Sequence, residues 1–181
     1  MEIIKNFRLI KMAFIFFIKF IAMIPFIIAL SILKSAIAAT TGGTLPVSTL
    51  VTANCSLSSA TMNFGNYDPI TANASSPLPA VTTFQISCTK GANVTITLNK
   101  GLYGTYATGT TRAMSSGSGH YLSYELYSNP ARSTVWNATS PVQFNSTSSN
   151  ALTETVYGQI PAGQNAFAGS YSDTVTITAT F

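Results

Sequence analysis

The residues after position 38 alternate between apolar and polar side chains with a period of two, and this alternation limits the folds open to the chain. Successive side chains of a β-strand point to opposite faces of a sheet, so the pattern predicts half-buried strands. Turn signals rich in Gly, Pro, Asn and Asp separate the runs, and no run keeps a helical period over three turns. The alternating runs are 47–54, 84–88, 94–98, 122–126, 156–160 and 174–181. We therefore predict one all-β domain built as a two-sheet antiparallel sandwich.

The charges of the chain are divided unevenly along its length. Residues 1–38 contain five basic side chains and one acidic one, whereas residues 39–181 contain four of each sign, widely scattered. A protein that neutralises many phosphates needs clustered Lys and Arg. The sequence therefore argues against a nucleic-acid partner.

The first 38 residues have the pattern of a secretory signal peptide. Lys5, Arg8 and Lys11 precede an apolar run over residues 20–33, and Ala36-Ile37-Ala38 offers a small-residue cleavage site. The alternative is an uncleaved anchor, but the run is short beside the ~20 residues that a membrane-spanning helix needs. We predict cleavage after Ala38, with cleavage after Ala39 as the alternative, and export through the inner membrane to the periplasm, with Met1, Met12 or Met23 as the start.

Cys55 and Cys88 are the only cysteines. In an oxidising compartment a pair of cysteines predicts a disulfide, with two free thiols as the alternative. Two cysteines and one distant histidine do not form a zinc site.

The chain offers few groups for catalysis. Residues 39–181 contain 44 Ser or Thr but a single histidine, His120, in a Ser/Gly-rich segment with no nucleophile motif beside it. Asp68, Glu125, Glu154 and Asp173 are isolated in the sequence. We predict no enzyme activity, no metal and no cofactor. An enzyme using His120 and a lectin using the tyrosines remain as alternatives.

The two ends of the predicted domain raise the question of an open sheet edge. The polar residues 39–44 lead into the alternating run at 45–53, and the last alternating run extends to Phe181. An open apolar edge is a docking site for another strand.

Several motifs resemble the spore coat protein U domain family, whose members include subunits of archaic (Csu-type) chaperone–usher pili. They occur in family order over residues 55–181, nearly the whole predicted domain. The matching residues are Cys55, Phe64-Gly65-Asn66-Tyr67-Asp68-Pro69, Phe84-Gln85-Ile86-Ser87-Cys88, Gly101, Arg112-Ala113-Met114, Leu122-Ser123-Tyr124-Glu125-Leu126-Tyr127, Trp136, the segment from Val156 to Gln164, and Gly169-Ser170-Tyr171-Ser172-Asp173.

The resemblance implies an incomplete immunoglobulin-like antiparallel sandwich over 55–181, preceded by a donor-strand extension at 39–54. A periplasmic pilus chaperone would first lend the missing strand, and the extension of the next subunit would then replace it. The donor side chains would be Leu45, Val47, Thr49, Val51 and Ala53. The edge of the groove and the chaperone contact would be formed by Val175, Ile177, Ala179 and Phe181.

The resemblance therefore implies a structural subunit that joins identical or related subunits head to tail. It would assemble at an outer-membrane usher into a cell-surface pilus supporting surface attachment and biofilm formation. Pro46 within the donor removes one backbone donor and is tolerable only on an edge. The alternative is a secreted spore-coat-like or extracellular matrix protein that completes its own sandwich with residues 45–53.

Overall fold

The structure, a computed structural model, describes residues 38–181. The chain divides into two units, Met1–Ser48 and Thr49–Phe181. Residues 1–37 of the predicted signal peptide lie outside the described residues, so its cleavage and start stay predictions. Within residues 38–181, no helix has the length and apolar character needed to cross a membrane.

The folded part of the second unit is an all-β sandwich of two antiparallel sheets. The larger sheet has the order β1-β2-β7-β5-β4, and the smaller has the order β6-β3-β8. The strands are β1 (Cys55–Leu57), β2 (Leu78–Cys88), β3 (Asn93–Leu98), β4 (Arg112–Ser115), β5 (Tyr121–Tyr127), β6 (Val142–Asn145), β7 (Leu152–Ile160) and β8 (Ile177–Thr180). A four-residue helix α1 (Ala72–Ser75) and a 3-10 turn (Gly104–Tyr106) interrupt the strands. The predicted fold class is confirmed.

The alternation in the sequence sets the faces of the strands. In β3 the apolar residues Val94, Ile96 and Leu98 are buried, while the intervening threonines are half-exposed. β2 and β7 pair over nine positions, and their inward side chains meet those of β3 in one core. Trp136, fully buried, donates its indole N–H to the carbonyl of Ile96 at 2.9 Å and so ties the loop after β5 to the smaller sheet.

β5 departs from the predicted pattern of one buried and one polar exposed face. Ser123 is 4% exposed and Glu125 3% exposed, on the same strand as the buried Leu122 and Leu126. The polar face is covered because the backbone N–H of Thr108 donates to Ser123 Oγ, and that of Thr111 donates to Glu125 Oε2. The segment before β4 therefore lies over β5, and the strand is buried on both sides.

Three short strands were not predicted, and one predicted strand is absent. β1 has three residues and β4 and β6 have four each, too few for a period to be recognised in the sequence. Residues 38–54, by contrast, form no strand and are all exposed, although 47–54 alternate clearly. An alternating segment becomes a strand only when a sheet edge pairs with it.

Candidate functional site

A groove on one side of the sandwich reaches the buried core side chains. One cavity, of about 440 Å³, is lined by buried side chains from both sheets, including Leu98, Leu126 and Val156. An adjoining cavity, of about 540 Å³, reaches Leu122 and Ile160 at the other end of the larger sheet. The two cavities adjoin, because Met62, Phe64, Met114 and Tyr171 line both of them, and together they are called the groove here.

The first wall of the groove is the segment 60–66, which crosses the larger sheet at Gly158. A Cβ placed on Gly158 would lie only 2.3 Å from Met62 Sδ and 2.8 Å from the Phe64 ring. A larger residue at 158 would therefore force these two side chains to shift. Thr82 Oγ1 also donates to the Thr61 carbonyl at 2.8 Å, which fastens the wall to β2.

The second wall is the segment 171–177, which passes from one sheet to the other. Ser172 pairs with Ser115 beside β4, whereas Thr176 accepts the backbone N–H of Asn99 and leads into β8. β8 pairs with β3 on one side, and within residues 38–181 no strand pairs with its other side. The smaller sheet therefore presents an edge that another strand can extend.

A hydrogen-bonded polar pair, Tyr124 and Asp173, lines the first cavity. The Tyr124 hydroxyl donates to Asp173 Oδ2 at 2.7 Å, while Asp173 Oδ1 accepts the backbone N–H groups of Leu102 and Thr174 at 2.8 Å each. Burial, and then the hydrogen bond and the negative charge of Asp173, raise the pKa of Tyr124. The phenol therefore stays protonated and remains a donor to Asp173.

The sequence had not predicted these groove residues as a site. Tyr124, Asp173, Phe64 and Gly158 occur in the family motifs and Met62 does not, but none of the five was predicted to line a groove. The alternation of β5 does place Tyr124 on the face of Leu122 and Leu126, but only the fold brings Asp173 to it.

The two cysteines form a disulfide, as predicted. Cys55 and Cys88 are directly opposite in the β1–β2 ladder, with Cα atoms 4.1 Å apart. Beyond the disulfide, the Thr89 backbone N–H donates to the Asn54 carbonyl at 2.8 Å. The chain leading into β1 is therefore held to β2 at its base.

The predicted donor residues lie in the exposed segment that belongs to no strand. Val47 is 87% exposed, and Leu45, Thr49, Val51 and Ala53 are exposed as well. Single exposed apolar residues are common, but an alternating row of them is unusual for a soluble chain. Their role as a donor stays a prediction.

The four residues predicted to form the groove edge lie in two different environments. Val175 and Ile177 line the first cavity. Ala179 packs against the core beyond the cavity, and Phe181 is 50% exposed. Contact of these residues with a chaperone stays a prediction.

His120 lies just before β5, and its ring stacks on Phe167 with 3.7 Å between centroids. Among residues 38–181, no group of three or more His, Cys, Asp or Glu side chains could hold a metal ion. The Tyr106 and Tyr121 rings stack with 4.0 Å between their centroids, so these two tyrosines pack against each other.

Fold and groove together define the class: an immunoglobulin-like antiparallel sandwich with an open side between its sheets. The family model described as Spore Coat Protein U domain matches residues 41–178. The chain belongs to this family, whose members are structural and not enzymatic proteins.

Known proteins that are similar to the chain include the following two. "Protein U" of Myxococcus xanthus is 35% identical over 150 residues, which cover 70% of this chain and 77% of that protein. The other is a chain in the crystal structure of the CsuC-CsuE chaperone-tip adhesion subunit pre-assembly complex from the archaic chaperone-usher Csu pili of Acinetobacter baumannii. It matches with a TM-score of 0.50 and 22% identity over 72% of this chain. This chain spans 40% of the length of that solved chain, and the likeness concerns the fold.

Proposed function

We propose that the protein is a structural subunit of an archaic chaperone–usher pilus, polymerised by donor-strand complementation and supporting surface attachment and biofilm formation. The observation that carries the proposal is the groove, in which core side chains of both sheets line an opening beside the free edge of β8. Membership of the family implies an exported, surface-associated protein. The fold shared with the Csu chain supports a pilus role.

The exposed segment 45–53 has the properties of the missing strand. Its inward residues would be Leu45, Val47, Thr49, Val51 and Ala53, which alternate with Pro46, Ser48, Leu50 and Thr52. Burying one Val or Leu side chain contributes roughly 1.5–3 kcal/mol, and ladder hydrogen bonds to a sheet edge add to this. Insertion into the next copy would join subunits in an open, head-to-tail polymer.

The partners follow from this assembly. A periplasmic chaperone would occupy the groove before polymerisation and pair with β8, with Val175, Ile177, Ala179 and Phe181 at the contact. An outer-membrane usher would then receive the subunit and pass the fibre to the cell surface. Identical or related subunits complete the fibre.

The test is deletion of residues 40–52 in the native host. We expect the deletion variant to remain bound to a chaperone and to be absent from fibres, and full-length fibres would overturn the donor assignment. A more specific test compares two variants, Val47→Arg and Ser48→Arg. The first places a charge on the inward face and should abolish polymers, whereas the second changes an outward residue and should leave them intact.

The second candidate is a secreted spore-coat-like or matrix protein whose own residues 45–53 complete the sandwich. The 35% identity to Protein U, higher than the 22% to the Csu chain, favours it. Periplasmic production of the mature chain alone distinguishes the two. A self-completed protein stays monomeric, whereas a pilus subunit is degraded, aggregates or forms ladders that resist mild denaturant.

A further inference from the structure

The chain that leads into β1 is fastened to Thr89, the first residue after β2. The backbone N–H of Asn54 donates to Thr89 Oγ1 at 3.1 Å, and the backbone N–H of Thr89 donates to the Asn54 carbonyl at 2.8 Å. The Thr89 hydroxyl in turn donates to the carbonyls of Asn54 and Thr52 at 3.3 and 3.4 Å. We call residues 52–54 the root of the extension, because the predicted donor segment joins the sandwich there.

The root points past the end of β2. β1 is antiparallel to β2, and its first residue, Cys55, is opposite Cys88, the last residue of β2. The bonds between Asn54 and Thr89 continue this antiparallel pairing by one position beyond the disulfide. Followed backwards from Cys55, the chain is therefore held in the direction in which it leaves the sheet.

The groove lies in the other direction along β2. Its first wall, the segment 60–66, follows β1 and is fastened to Thr82, which lines the first cavity. Thr82 precedes Cys88 within β2 by a separation of about 20 Å along an extended strand. Ile160, which lines the second cavity, is opposite Leu78 at the far end of β2, so the groove extends still further from the root.

Insertion of residues 45–53 into the groove of their own chain needs a reversal that the root does not allow. The segment would have to turn back and run beside β1 and the first wall. A tight reversal takes about two to five residues, and residues 52–54 are already held in antiparallel pairing with Thr89. A turn placed before the root would use up residues of the donor itself, including Val51. The groove of another copy sets no such requirement.

A restraint of this kind is needed because the two grooves compete for the same segment. An extension tethered to its own sandwich is present there at an effective concentration of about millimolar, whereas another copy must be met by diffusion. The apolar side chains of 45–53 would make the same contacts in either groove, so these contacts do not discriminate. A small free-energy difference at the root can therefore decide which groove is filled.

We propose that Thr89 holds the root of the extension away from the groove of its own chain and so reserves the extension for the groove of another copy. This inference rests on the proposed function. Thr89 acts through Asn54 and Thr52 and lines neither cavity, so it is a positioning residue. Its side-chain bonds are exposed to solvent, so their loss leaves no buried group unsatisfied and frees the root without disturbing the core.

The experiment is hydrogen exchange with mass spectrometry on the full mature chain with its disulfide intact. Each protein is refolded at a dilution at which size-exclusion chromatography shows only monomers, so any protection of residues 45–51 arises within one chain. Thr89→Val removes the hydroxyl and keeps the shape of the side chain, whereas Thr89→Ser retains a hydroxyl. Thr83→Val, at an exposed position of β2, is the matched control.

We expect residues 45–51 to exchange as an unstructured chain in the wild-type monomer, in Thr89→Ser and in Thr83→Val. In Thr89→Val a protected population should appear, with the ratio of protected to unprotected molecules raised about fivefold over the wild type, the scale of one hydrogen bond. A merely structural role of Thr89 predicts the opposite sign, because the loss of bonds at the root would only speed exchange.

The outcomes separate this inference from the proposed function. A labelled peptide of residues 44–54 is added to the same wild-type monomer. If the peptide binds but Thr89→Val shows no more protection than the wild type, the positioning role is overturned while the donor-strand function stands. Protection of 45–51 already in the wild-type monomer also overturns the positioning role and supports the self-completed protein. If 45–51 are unprotected and the peptide does not bind, the donor-strand function fails and this inference fails with it.

Discussion

The Arg112 guanidinium and the Glu125 carboxylate form an ion pair in the interior, with side-chain exposures of 0% and 4%. Glu125 also accepts the backbone N–H groups of Thr111 and Leu126. Arg112 donates to the carbonyls of Asn99 and Trp136 at 2.9 and 2.7 Å. The pair therefore joins β4 and β5 to the end of β3 and to the loop that carries Trp136.

We expect Glu125→Gln to destabilise the fold by about 3–5 kcal/mol, because it leaves the Arg112 charge buried without its partner. Urea unfolding followed by Trp136 fluorescence measures the loss. Glu154→Gln is the control. Burial raises the pKa of Glu154, so its charge is unfavourable in the folded state, and a neutral side chain there should not destabilise the fold. Equal losses from the two variants would contradict a special role for the buried pair.

Gly158→Ala should disturb the first wall of the groove. The added Cβ meets Met62 Sδ and the Phe64 ring at distances that force both to move. We expect a loss of about 1–3 kcal/mol, the usual cost of overpacking, together with weaker binding of a 44–54 peptide. Gly43→Ala, whose Cβ would meet nothing within 4 Å, should change neither quantity. An unaffected Gly158→Ala variant would show that the wall does not pack closely there.

Removal of the disulfide should destabilise the domain by about 3–4 kcal/mol in the chain-entropy model, since it closes a loop with a sequence separation of 33 residues. The double variant Cys55→Ser, Cys88→Ser tests this by urea unfolding. The wild-type protein treated with a reductant should reach the same midpoint as the double variant. A double variant as stable as the oxidised protein would contradict the expectation.

Asp68 should make the fold sensitive to acid. The hydrogen bond from the Thr71 side chain, followed by those from the Ile70 and Thr71 N–H groups, lowers the pKa of Asp68. A folded-state pKa below the unfolded value gives a stabilisation that is complete above about pH 4 and is lost as the pH falls through the folded pKa.

Thermal unfolding of Thr71→Val, measured between about pH 2 and 6, checks this. The variant removes the largest cause of the shift, so its melting temperature should fall less on acidification than that of the wild type. Thr83→Val, on the exposed face of β2, should keep the wild-type dependence. A Thr71→Val profile parallel to the wild type would be the contrary result.

Much of the fold could be predicted from the sequence because local alternation decides which side chains share a face. Ile96 with its neighbours in β3, and Val156 with Gly158 in β7, lie inward as the pattern predicted. The pairing of Cys55 with Cys88 followed from there being two cysteines and from the expected compartment. The donor, groove-edge and signal-peptide assignments remain predictions.

Glu125 shows where the pattern fails. Alternation predicted its face as polar and solvated, since a strand's own sequence does not reveal whether another segment covers that face. The covering segment lies before β4, and the fold brings its Thr111, together with Arg112 at the start of β4, to Glu125. Residues 47–54 are the opposite case, because they alternate in sequence but form no strand. An alternating segment needs a sheet edge to pair with before it becomes a strand.

The sequence by itself determined the class of the protein: strands with one apolar face, a disulfide, and a charge-balanced domain. Only the tertiary structure decided where the sandwich stays open. The groove depends on Met62 crossing the sheet at Gly158 and on Tyr124 meeting Asp173, 49 positions away. The period of two specifies on which face of its strand each side chain lies. Long-range strand pairing decides which strands become neighbours.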